Sequence, residues 1–102
     1  MSFFTEKFLN ARRGELLRSI KRFEYQLNNA TWHNGIINSK EISGTDVVVF
    51  VNVPSSGTAD TITAVRMYDK NEDLAGQQTI SLTRTSLNSA LLRFTFPLIE
   101  AV

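Results

Sequence analysis

Few residues in this sequence have types and spacings that could do chemistry. His33 is the one side chain that titrates near neutrality when unperturbed, and it stands in the run Trp32-His33-Asn34-Gly35. The chain has no cysteine, so a zinc site on His33 would need carboxylates, and none lies near it in sequence. A serine hydrolase would need His33 as base for Ser81, Ser86 or Ser89, yet no G-x-S-x-G elbow frames any of these. Asp69, Asn71 and Asp73 match the opening of a calcium loop, where oxygens at alternate positions face one cation. Leu74 then occupies the place of the turn glycine and Ile80 the place of the bidentate glutamate. An acidic turn held by Asx hydrogen bonds is expected instead, with no metal, no cofactor and no catalytic set.

Charge offers a second kind of chemistry. Residues 1–30 carry six bases and three acids, and residues 31–102 five bases and seven acids. Were the first segment helical, Arg18, Lys21 and Arg22 would cluster at 100° per residue, with Arg12 close by and Glu15 among them. Neither phosphate-cradling glycines nor a stacking aromatic motif accompanies these bases, so a solvated face is expected and nucleic acid is not.

Positioning these residues falls to few elements. The 102 residues make one domain, with 42% hydrophobic and 21% charged residues, enough for a single small core. Residues 1–30 have no proline and a helix-forming composition. The stripe Leu16, Ile20, Phe23, Leu27 has helical spacing, which Arg13 interrupts as a heptad. That stripe packs either on the chain's own sheet or on another copy. Strands are expected at Thr31–Ile42, Thr45–Val53, Asp60–Tyr68, Leu74–Arg84 and Leu91–Leu98, joined by turns too short for parallel crossovers. The fold class is therefore α+β: one N-terminal amphipathic helix followed by about five antiparallel strands. These form either a meander packed on the helix or a small β-sandwich with the helix outside. No bilayer-length apolar run and no export signal are legible, so a soluble chain made in the cytoplasm is expected, with no membrane partner.

This layout, from Met1-Ser-Phe-Phe-Thr-Glu-Lys-Phe through a strand-rich body to Leu91-Leu-Arg-Phe-Thr-Phe-Pro-Leu-Ile-Glu, resembles small tail-associated structural proteins of tailed phages and prophages. The resemblance implies oligomerisation within a virion and carries no functional residue across. The residues themselves leave two functions open. One is a structural or assembly protein working through protein–protein contacts, first with copies of itself. The other is a monomeric module binding a peptide, nucleic acid or small ligand. The candidate interaction surface comprises Arg12, Arg18, Lys21 and Arg22, together with Leu91, Arg93 and Thr95 on the last strand. Neither that strand nor Thr31–Ile42 carries much charge to defend a sheet edge, and Pro97 guards only the end of one.

Overall fold

The computed structural model describes residues 3–100, so the first two residues of the expected helix and the last two of the chain lie outside the described residues. One helix, α1 (Glu6–Ser19), is followed by seven antiparallel strands: β1 (Ile20–Leu27), β2 (Thr31–Asn34), β3 (Ile36–Ser43), β4 (Asp46–Val53), β5 (Asp60–Asp69), β6 (Leu74–Arg84) and β7 (Ala90–Pro97). The α+β class is as expected; the strand count is higher. Strands β2-β1-β5-β6 form one sheet and β3-β4-β7 the other. Their inner faces meet in a core of Ile20, Phe23, Tyr25, Ile62 and Val65 from the first sheet and Val47, Val49, Val51 and Val53 from the second.

The helix is shorter than the sequence predicts, and its stripe is divided. Leu16 lies on α1, whereas Ile20, Phe23 and Leu27 lie on β1. Phe23, Tyr25 and Leu27 are spaced by two, and aromatic and β-branched side chains fit a half-buried strand. An irregular register between Ile20 and Arg22 lets Ile20 and Phe23 both face the core, so a strand with one irregularity imitates a helical spacing. Thr5 starts α1, its Oγ1 accepting the N–H of Phe8 at 3.2 Å. Lys40 of β3 ends it, donating from Nζ to the carbonyls of Leu17 and Ile20 at 3.1 and 2.9 Å.

Asn28 and Asn29 then reverse the chain. Both have positive φ, 53° and 56°, and Ala30 donates its N–H to the carbonyl of Leu27 at 2.9 Å. The expected strand Thr31–Ile42 is in fact two strands in different sheets, broken at Gly35. A Cβ on Gly35 would stand 2.7 Å from Val51 Cγ1, so glycine lets the chain cross between sheets there without displacing Val51.

Arg13, which interrupts the heptad, is the most deeply buried charged residue, at 1% exposure. Its Nε donates to the carbonyls of Thr45 and Leu98, both at 3.1 Å, and Nη1 donates to Glu6 at 3.2 Å. It thereby ties α1 to the β3–β4 turn and to the segment after β7. The molecule is elongated, 51 × 25 × 23 Å, with a Cα radius of gyration of 15.6 Å where about 13 Å is usual for roughly 100 residues.

Candidate interaction surface

Two sheets leave four strand edges, where the meander, one of the two expected arrangements, would leave two. Three of the four are defended, and two of these, β2 and β3, are the parts of the Thr31–Ile42 strand that the sequence leaves as an undefended edge. β2 is only four residues long. β3 has an irregular register between Ile37 and Ser39 and carries Lys40 and Glu41. β6 pairs with β5 through two register irregularities. Short strands, bulges and charge all discourage pairing with another chain.

β7 differs. Its eight residues pair with β4 from Asp46↔Pro97 to Val53↔Ala90 without a break, and Arg93 is its only charged residue. Leu98 donates its N–H to the carbonyl of Thr45 at 3.1 Å. Hydrogen-bonding residues alternate along an antiparallel ladder, so Phe96, Phe94 and Leu92 turn their backbone groups to β4. The N–H and C=O groups of Leu91, Arg93 and Thr95 therefore point to the open edge, where no strand of the described residues receives them. Pro97 has the same orientation and lacks an N–H, which blunts one position at the strand's end.

The side chains of β7 alternate too. Leu92, Phe94 and Phe96 face the core but are only partly buried, and Phe94 stacks on Phe23 of the opposite sheet with centroids 5.0 Å apart. Leu91 is 56% exposed on the other face, with Arg93 and Thr95 beside it. A groove of about 220 Å³ opens between β6 and β7, lined by Phe23, Val65, Met67, Gly76, Gln78 and Phe96 among others. With four strands against three, the second sheet ends at β7 and leaves this apolar slot beside its free edge.

A buried ion pair fixes the start of β7 against the first sheet. Arg84 at the end of β6 donates from Nε and Nη2 to the two carboxylate oxygens of Asp60, both at 2.8 Å. Its Nη1 donates to the carbonyls of Val53 and Pro54 at 2.8 and 2.9 Å, and Val53 is the register partner of Ala90. Ser56 adds a hydrogen bond to Asp60 at 2.7 Å. Hydrogen bonding from Arg84 holds the Asp60 carboxyl below its ordinary range and raises Arg84.

The basic residues do not form the helical cluster that the sequence predicts. Arg12 and Arg18 stand on α1, but Lys21 and Arg22 stand on β1, because the helix has ended by then. Carboxylates answer most of this charge. Arg12 pairs with Glu15 at 3.0 Å, Lys21 with Glu72 at 2.6 Å, and Arg22 with Glu72 and Glu24 at 2.8 and 2.9 Å. Arg18 alone of the four has no ion-pair partner among the described residues. Arg22 lies 4.0 Å over the Tyr68 ring and Arg66 3.8 Å over Trp32, with Glu24 bridging the two guanidinium groups. Burial pushes the Glu24 carboxyl up, but the hydrogen bonds from Arg66 and Arg22 outweigh it and leave it below its ordinary value. This outer face is a closed set of pairs, and it stands apart from the β7 edge.

The remaining candidates are local. His33 lies on β2 and Ser81 on β6, the opposite edge strands of the four-stranded sheet. His33 Nε2 is 2.8 Å from Thr31 Oγ1 on its own strand. Asp69 Oδ1 accepts the N–H groups of Asn71 and Asp73 at 2.8 and 3.1 Å, the Asx arrangement expected of this turn. Among the described residues no three His, Asp or Glu side chains stand close enough to hold a metal ion, and no helix is long and apolar enough to cross a membrane.

Of the sequence-level candidates, Leu91, Arg93 and Thr95 share one edge, and the four helix-assigned bases do not join them. Sequence reasoning missed the groove residues Met67, Gly76 and Gln78, and the Arg84–Asp60 pair. The alternation of Leu92, Phe94 and Phe96 marks an inward face that includes the groove residue Phe96; no local signal marks the groove residues on β5 and β6, nor the ion pair, whose members are 24 residues apart. No protein-family model, no curated protein and no solved structure matches this chain.

Proposed function

We propose that this chain is a non-enzymatic structural or assembly protein that acts through protein–protein contacts and associates first with itself. One observation carries the reading: β7 is a regular, weakly charged edge strand beside an open apolar groove. Such an edge in water is a template for another strand, and natural sheets usually blunt it. The layout resemblance to tail-associated phage proteins supports the same class and suggests a virion as the setting.

Light scattering over a range of protein and salt concentrations tests this. A contact made of backbone hydrogen bonds and apolar side chains predicts a mass that rises with concentration and persists at about 1 M salt, where exposed charge pairs are screened. A chain that stays monomeric to high micromolar concentration overturns the reading and leaves a monomeric binding module in its place.

A further inference from the structure

We infer that two copies of this chain join edge to edge through β7, antiparallel about a two-fold axis at Phe94, to make a continuous six-stranded sheet from the two three-stranded ones. This deepens the self-association reading and rests on it. Geometry first restricts the register. Only Leu91, Arg93, Thr95 and Pro97 turn their backbone groups outward, so hydrogen-bonded pairs across the axis must join residues of this set. The same parity keeps the apolar inner faces of both copies on one side of the joined sheet.

Charge and hydrogen bonding then choose among the allowed registers. An axis at Arg93 sets two guanidinium groups directly opposite, which is unfavourable. An axis at Leu92 opposes Thr95 and Pro97 to positions 89 and 87, before the strand begins. An axis at Thr95 pairs Arg93 with Pro97, which has no N–H to return, and runs the remaining pairs past the end of the strand. An axis at Phe94 pairs Arg93 with Thr95 of the second copy and Leu91 with its Pro97, giving about six new backbone hydrogen bonds.

The side chains agree with this register. On the inner face Leu92 meets Phe96 of the second copy, and the two Phe94 rings meet at the axis, so the half-buried apolar row becomes continuous. On the outer face Leu91, largely exposed in the single chain, is covered by Pro97 of the second copy. The groove between β6 and β7 gives the added strand a slot for inward side chains. A second copy is thus matched in backbone and apolar pattern by one register, which also keeps the two Arg93 side chains from standing directly opposite. Isologous two-fold contacts of this kind are the commonest route to a homodimer.

The absence of native cysteine makes the register directly testable. Arg93→Cys and Thr95→Cys each place a single thiol on the outer face, and in this register the thiol at position 93 of one copy faces the thiol at position 95 of the other. The expected Cα separation is about 5.5 Å, within the range a disulfide spans. Under mild oxidation a mixture of the two variants should cross-link at least about tenfold faster than either variant alone. In the wild type, the N–H groups of Leu91, Arg93 and Thr95 should gain protection from hydrogen exchange as concentration rises, which needs no substitution. An oligomer with no preferred mixed disulfide and no concentration-dependent protection on β7 overturns this interface while self-association stands. A chain monomeric at every concentration overturns both.

Discussion

The Arg84 guanidinium is satisfied by two carboxylate oxygens and two carbonyls, all between 2.8 and 2.9 Å, with both members of the pair almost fully buried. Removing one partner of such a pair strands the other charge in the interior, so Arg84→Ala should lose about 3–5 kcal/mol in urea unfolding. Acid should act through the same pair. Asp60 has a folded-state value below its unfolded one, so its contribution is complete above about pH 4 and is lost as pH falls through the lower folded value. Thermal unfolding between about pH 7 and 2 should therefore show a shallower acid-side decline in Asp60→Asn than in the wild type, from a lower starting stability. Arg13 is a contrasting case: its Nε serves two carbonyls, but Nη2 is buried without a partner, so it is fixed in place without being fully satisfied.

At the scale of elements, the chain is organised by where it changes sheet. β2 and β3 are one polar, weakly patterned run in sequence, and Gly35 divides them by permitting close approach to Val51, with its N–H donated to the carbonyl of Phe23 at 2.9 Å. A methyl there must displace the Val51 side chain or shift Gly35 itself, since the Phe23 carbonyl, 3.7 Å away, is at ordinary contact distance. Gly35→Ala should cost about 1–3 kcal/mol by overpacking, and Val51→Ala in the same chain should recover part of it, giving non-additive energies in a double-mutant cycle. The amino-terminal helix is set by the same long-range logic. Its sequence favours continuation past Ser19, but Ile20, Phe23 and Tyr25 bury their side chains on a strand held between β2 and β5 in the sheet order, and Lys40 closes the helix end.

For the whole molecule, the consequence is an elongated body whose second sheet has one strand fewer than the first. Its lightly defended edge is open along β7, and that edge can be closed chemically without touching the fold. The N–H of Thr95 points away from β4, so Thr95→Pro removes a donor from the edge and none from the existing ladder. The variant should keep the far-ultraviolet circular dichroism spectrum of the wild type and remain monomeric by light scattering at concentrations where the proposed contact would assemble the wild type. A Thr95→Pro chain that associates as strongly as the wild type would remove β7 from the contact.

Local pattern was enough to read the class and most of the strands. Val47, Val49, Val51 and Val53 alternate so regularly that a buried strand was legible, and β4, β5, β6 and β7 fall within two residues of their expected bounds. The same alternation marked Leu91, Arg93 and Thr95 as one face of an edge. Where α1 stops was not legible, because 20, 23 and 27 fit a helix as well as they fit a strand with one irregularity; burial in the sheet breaks that tie. Nor was the division of Thr31–Ile42 between two sheets, and with it the choice of two sheets with four edges over a single meander. Lys21 and Arg22 meet Glu72 only in the folded chain, about 50 residues away, which converts an apparent basic face into closed ion pairs. Periodicity reports which side chains can share a face over a few residues, whereas partners brought together by topology leave no local trace in the chain.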